Sequence, residues 1–222
     1  MSEYQYYEFA AIDRPLTPQE MAELRARSGR AVITPTAFTN QYNWGDLNGD
    51  PDEWMRRYFD AFVYFASFAS CRLSLRLPRS ALPAERVLPF AIASFSFSIV
   101  ASDSHWCFNW MLDETENFDR FAVDNGTQWM PRLLPLREEL QGGDLRPLYL
   151  GWLADAPFLE AEDEGPEVPP GLTELSTAQQ ALVEFLEIDP DLLDAAAEPC
   201  AGTARRRVAE LCERAEAIAS AR

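Results

Sequence analysis

The chain has 222 residues, 47% hydrophobic and 12% aromatic, which is enough to close one sizeable core and excludes a disordered chain. Its formal net charge is −17 and every basic residue is Arg, a balance that works against holding a phosphate backbone. No stretch approaches the ~20 apolar residues of a bilayer span, and MSEYQYYEF lacks the basic and apolar regions of a signal peptide, so the expectation is a cytoplasmic protein with neither nucleic acid nor membrane among its partners.

Tyr4 to Ile12, aromatic and β-branched, predicts a first strand, which Asp13, Arg14 and Pro15 break. Thr17 with Glu20 forms a capping box that opens a helix to about Arg27, with Met21 and Leu24 inward. Ala31 to Tyr42 is extended, Pro35 placing part of it at an edge or bulge. Asp50, Pro51, Asp52 and Glu53 carry a second helix start. Trp54, Met55, Tyr58, Phe59, Phe62, Val63 and Ala66 then recur at helical spacing, predicting a helix over 51–68. From Ala61 it is apolar nearly all round, so it is expected to be the central buried helix.

Cys71 to Leu77 alternates cleanly, with Cys71, Leu73, Leu75 and Leu77 on one face and Arg72, Ser74 and Arg76 on the other. Pro83 and Pro89 limit 79–92 to a turn or two of helix. Ser94 to Val100 (Phe95, Phe97 and Ile99 on one face) and His105 to Leu112 (Trp106, Phe108, Trp110 and Leu112 on one face) predict a hairpin. Its apolar faces coincide only if odd positions pair with even ones, across Ser102-Asp103 or Ala101 to Ser104. Asp113 to Thr127 is a loop. Helical patterns follow at Met130 to Leu140 and Leu145 to Leu153, then a Pro-rich acidic linker, then helices from Ser176 (a capping box with Gln179), from Asp189-Pro190 and from Arg205 to the end.

The fold class expected from this order is α+β: a mixed or antiparallel sheet with a β-α-β-α-β start and a hairpin, followed by an all-helical C-terminal part. A doubly wound α/β fold is the weaker alternative, since no Gly-rich strand-to-helix turn is present. The expected units are a domain over 1–155, an acidic linker over 156–175 and a helical tail over 176–222. Between 156 and 200 there are twelve Asp and Glu and no Arg.

Few constellations invite chemistry. Asp46, Asn48, Asp50 and Asp52 have the alternation of a calcium loop. Pro51 and Arg57 stand where such a loop needs Gly and Glu, so a turn with a helix cap is the simpler reading. His105, the only histidine, sits two positions before Cys107 on one strand face, roughly 6–7 Å away and too far for a direct nucleophile–base bond. Asp113, Glu114, Glu116, Asp119 and Asp124 read as a solvated loop. Cys71, Cys107, Cys200 and Cys212 have no paired metal spacing, so no structural metal and no cofactor are expected. The run Asn40, Gln41, Tyr42, Asn43, Trp44 holds residue types that line small-molecule or peptide pockets, and it equally suits a strand end covering a helix start.

In the last helix Val208, Leu211, Ala215 and Ile218 form a narrow apolar stripe that either folds back or seeks a partner helix, from a second copy or another protein. It contains Ala215 and buries little area, so the expectation is a weakly attached helix that serves as an interaction surface. The leading functional expectation is therefore a non-catalytic protein-interaction module with an acidic helical tail. The alternative is a ligand-binding protein or enzyme with a site of Asn40, Tyr42, Asn43 and Trp44, with His105. A third reading is an acidic nucleic-acid mimic.

The segments YQYYEFAAIDRPLT, ITPTAFTNQYNWGDLNGDP, RYFDAF and GDLRPLYLGWL resemble a family of large, mostly bacterial, uncharacterised proteins, over roughly Tyr4 to Ala197. The resemblance implies no activity, ligand or site residue. It does imply a continuation beyond Arg222 into a long, charged, helical region.

Overall fold

The computed structural model describes residues 4–91, 95–113, 115, 121, 124–198 and 205–222; Ser94, Glu114, Glu116, Asp119 and Cys200 lie outside the described residues. The fold is α+β. Strands β1 (Gln5–Ala10), β2 (Val32–Thr34), β3 (Ala37–Tyr42), β4 (Ala61–Ala66), β5 (Ser70–Pro78), β6 (Phe97–Ala101) and β7 (His105–Leu112) form one sheet in the order β2-β3-β1-β4-β5-β7-β6. Every neighbouring pair is antiparallel. The helices are α1 (Pro18–Arg27), α2 (Pro51–Arg57), α3 (Ala84–Val87), α4 (Trp129–Leu133), α5 (Pro135–Gln141), α6 (Arg146–Asp155), α7 (Thr177–Phe185), α8 (Pro190–Ala197) and α9 (Val208–Ala221).

The central element is a strand. The helix expected over 51–68 starts where its cap places it, with Asp50 accepting the Asp52 N–H at 2.8 Å, but it ends at Arg57. Residues 61–66 form β4, paired with β1 on one side and β5 on the other. A strand buried on both faces has no polar side to alternate with, so Ala61 to Ala66 is apolar all round in either conformation, and periodicity alone cannot separate the two. Glu53, which a capping box would turn back onto the Asp50 N–H, pairs with Arg57 at 3.0 Å instead. The start of the chain is consequently β-α-β-β-α-β-β.

Two cores follow from the two faces of this sheet. Val63, Phe65, Leu73, Leu75, Phe97, Phe108 and Trp110 pack with α4 to α9 on one face. Tyr7, Phe9, Phe38, Phe59 and Phe62 pack on the other with Leu24 of α1 and Trp54 and Met55 of α2. Phe9 and Phe62 stack there with centroids 4.2 Å apart. The first face demands close approach: a Cβ on Gly151 of α6 would lie 2.7 Å from the Phe97 ring and from Trp110 Nε1. With no side chain at 151, Trp110 Nε1 donates to the Pro147 carbonyl at 3.0 Å.

The hairpin parity holds. Phe97 opposes Trp110 and Ile99 opposes Phe108, while the Ser102 N–H donates to the His105 carbonyl at 2.9 Å, so Asp103 and Ser104 make the turn. Phe95, expected on the same core face, lies before β6 and is 78% exposed.

The segment over 156–175 does not separate two cores. The Gly165 N–H donates to the Arg206 carbonyl and the Val208 N–H to the Asp163 carbonyl, at 2.9 and 3.0 Å, and Leu172 is buried in the first core. The α9 stripe is used inside the chain: Val208 and Leu211 are buried in that core, and Ala215 and Ile218 pack against it. Of the two outcomes open to this helix, the chain takes the fold-back, with Arg214 paired to Glu198 at 2.6 Å and Arg222 to Asp191 at 2.7 Å. Among the described residues no helix is long and apolar enough to cross a membrane.

Candidate functional site

The residues singled out from the sequence do not converge. Asn40, on β3, is buried and donates through Nδ2 to Ser28 Oγ at 2.8 Å, fixing the end of α1; its role is structural. Tyr42, on the same face, meets Tyr7 edge-on at 5.7 Å. Asn43 is exposed, and Trp44 is 72% exposed. Behind them the Tyr7 hydroxyl sits 2.5 Å from Asp46 Oδ1 and 2.8 Å from Gln5 Oε1, and the Tyr64 hydroxyl donates to that same Gln5 oxygen at 2.9 Å. Burial raises both phenols above their ordinary range, with the Asp46 carboxylate adding to it. The calcium-like acids are spent separately: Asp46 on Tyr7, Asp50 as the α2 cap and Asp52 on Arg72.

His105 is remote from that cluster. It lies on β7, four strands from β3 in the sheet, or about 19 Å at ~4.8 Å per strand. Its Nδ1 lies 2.7 Å from Ser104 Oγ at the hairpin turn. His105, Cys107 and Asn109 share one face of β7, beside Arg72 and Ser74 of β5. Asn109 Oδ1 is the hub of this patch, accepting from Arg72 Nη2 at 2.9 Å and from Ser74 Oγ at 2.7 Å. Burial pushes the Cys107 thiol up to about 11, so at neutral pH it is protonated, the opposite of what a nucleophile needs. The His105–Cys107 pair is a strand face with a satisfied polar ladder.

A different place gathers an exposed, recessed apolar surface. Where β6 begins and β7 ends, a groove of about 780 Å³ opens between the sheet and the helices. Phe95, Met111 and Leu112 line it from the sheet, Ala154, Pro157 and Phe158 from the end of α6, and Leu186, Ile188 and Leu192 from the α7–α8 junction. Phe95 and Phe158 are 78% and 71% exposed, while Leu186, Ile188 and Leu192 are buried.

Each wall is fixed by backbone chemistry. Asp155, fully buried at the end of α6, accepts the Ser96 N–H with both carboxylate oxygens, at 2.8 and 3.0 Å, and so sets the chain direction at Phe95. A 3-10 turn, Ala156–Phe158, follows directly and carries Phe158 outward. At the third wall Glu187 has φ +52, a left-handed conformation unusual outside glycine, which turns α7 into α8; its carboxylate accepts from Thr115 Oγ1 at 2.5 Å.

Sequence reasoning missed both aromatic walls. The alternation places Phe95 on the core face although the strand begins two residues later, at Phe97, and composition places Phe158 in a linker. The available signal was the Phe158-Leu159 pair inside an otherwise acidic, Pro-rich run, since linkers seldom carry large apolar residues. Among the described residues the groove's charged lining is Asp113, Glu187 and Asp189, all acidic. Comparison of the chain with family models, curated proteins and solved structures found no match.

Proposed function

We propose that this chain is a non-catalytic protein-interaction module whose docking site is the groove between Phe95 and Phe158. The observation that carries this reading is the pair itself: two phenyl rings, 78% and 71% exposed, both lining one apolar recess and held there by anchored backbone. Burying a Phe side chain is worth ~1.5–3 kcal/mol, so two rings kept in water beside a recess mark a surface that gains by being covered. Aromatic anchors flanking a pocket are the usual centre of a protein–protein contact.

The test is site-specific photo-crosslinking in cells, with benzoylphenylalanine placed at Phe158 and, separately, at exposed Phe68 and Leu88 as controls. A discrete crosslinked protein from position 158, absent from both controls, supports docking at the groove. Equal crosslinking from all three positions would sink it.

A second reading rests on Trp44, 72% exposed at the sheet end where Gln5 Nε2 holds the Gly45 carbonyl at 3.0 Å. An exposed indole two residues before Asp46, whose carboxylate meets the Tyr7 hydroxyl, suits a small polar ligand. Ligand-observed NMR against a metabolite set, repeated with Trp44→Ala, tests it; signals unchanged by the substitution exclude this end of the sheet.

A further inference from the structure

We infer that the occupant of the Phe95–Phe158 groove is a basic amphipathic helix of a partner protein, an inference that rests on the docking reading above and adds the partner's chemistry. The argument is the distribution of charge around the apolar floor. Asp113 stands on the sheet wall, and Glu187 and Asp189 on the helix wall, and the Thr115 hydroxyl bonded to Glu187 at 2.5 Å links the two, so acids border the apolar surface where these walls meet. Among the described residues no base lines this groove. Two other cavities are mixed: Arg86, Arg146 and Arg205 with Glu85, Asp144 and Glu167 in one, and Arg27 and Arg57 with Glu23, Asp50 and Glu53 in the other.

Among the described residues no Arg pairs with Asp113 or Asp189, whereas other acids of the region are matched, Glu184 by Arg132, Asp194 by Arg222 and Glu198 by Arg214. An apolar stripe bordered by cations is the face that fits an apolar floor bordered by acids, and one amphipathic helix with Lys or Arg beside its apolar stripe presents it. The surrounding chain, twelve acids and no Arg between 156 and 200, extends the same field and steers such a segment inward. It repels an anionic membrane surface, which would otherwise attract the same kind of helix.

The experiment uses the full chain and three fluorescein-labelled synthetic helices of equal length: an amphipathic Leu/Lys peptide, its Leu/Gln counterpart, and a Leu/Lys peptide of the same composition with its order scrambled. Binding is read by anisotropy at 0.15 M salt. Phe158→Ser removes an exposed wall residue, Asp113→Asn with Glu187→Gln removes rim charge, and Glu160→Gln with Glu162→Gln removes equal charge outside the groove; thermal melts confirm that each variant folds. The expected result is that only the ordered Leu/Lys peptide binds well. Phe158→Ser should weaken it by about tenfold and the rim pair severalfold, with the outer pair near wild type.

Leu/Gln binding as tightly as Leu/Lys, and losing affinity in Phe158→Ser, would overturn the basic partner while leaving the docking groove in place. Scrambled and ordered peptides binding alike, with Phe158→Ser unaffected, would overturn the inference by assigning the binding to net charge alone. The photo-crosslink at Phe158 reports separately on the docking reading.

Discussion

The carboxylate of Asp60, 1% exposed, is bound by the guanidinium of Arg76 at 2.6 Å across the neighbouring strand ends of the sheet. The same carboxylate accepts the N–H groups of Ile12 and Asp13 at 2.7 and 2.9 Å, so one side chain ties the end of β1 to β5. Burial by itself would raise this carboxyl, but the two backbone donors and Arg76 together hold it below the usual carboxylate range. A depressed folded pKa contributes stability that is fully present above the unfolded value of about 3.9 and is lost as pH falls through the folded value. Acid unfolding curves should therefore steepen below about pH 4 in the wild type and be flatter there in Asp60→Asn. Asp60→Ala, which strands Arg76 and two backbone donors, should cost about 3–5 kcal/mol in urea denaturation at pH 7. A loss below about 1 kcal/mol would mean that water replaces the carboxylate.

Gly151 gives a steric prediction. Its added methyl would meet the Phe97 ring and Trp110 Nε1 at 2.7 Å, both in the first core. Gly151→Ala raises helix propensity by about 1 kcal/mol, yet the clash should outweigh it and leave the variant destabilised by about 1–3 kcal/mol. A higher melting temperature for Gly151→Ala would show that α6 can slide.

The C-terminal helix belongs to the core at its start. Leu211 is fully buried, so Leu211→Ala should cost about 2–5 kcal/mol. Amides from Val208 to Leu211 should exchange as slowly as those of β4, and amides after Ile218, where the side chains are exposed, should exchange fast. Fast exchange throughout would restore the weakly attached helix that its narrow stripe suggested.

Cys107 gives a titration. Its thiol, pushed up to about 11 by burial, should react with iodoacetamide slowly at pH 8 and faster with each step toward pH 11. Full alkylation within minutes at pH 7 would mean an activated thiolate on β7.

How far the sequence could be read follows from what each residue competes with. Local rules worked where the competition was local: the Thr17–Glu20 and Ser176–Gln179 capping boxes both form, and the parity of Phe97 against Trp110 follows from the two-residue repeat of a strand. They failed at Ala61 to Ala66, because burial of a strand on both faces is a property of the finished sheet and leaves no mark in a six-residue apolar run. Residues 156–175 read by composition as a linker, and what composition leaves out is their long-range bonding. Their backbone groups bond to Arg206 and Val208, about forty residues on, and composition carries no such partner. The groove was invisible because Phe95, Phe158 and Ile188 are brought together only by the packing of α6 and the α7–α8 turn on the sheet end.

The strand order has a consequence for synthesis. The first four strands in space, β2, β3, β1 and β4, are all made from residues 5–66, and that stretch, α1 and α2 included, supplies every buried residue of the second core, to which Cys107 of β7 is added later. A ribosome therefore delivers most of one layer before β5 is made, and the free edge of β4 with its uncovered Val63 and Phe65 face is then the template on which β5 and the β6–β7 hairpin complete the sheet.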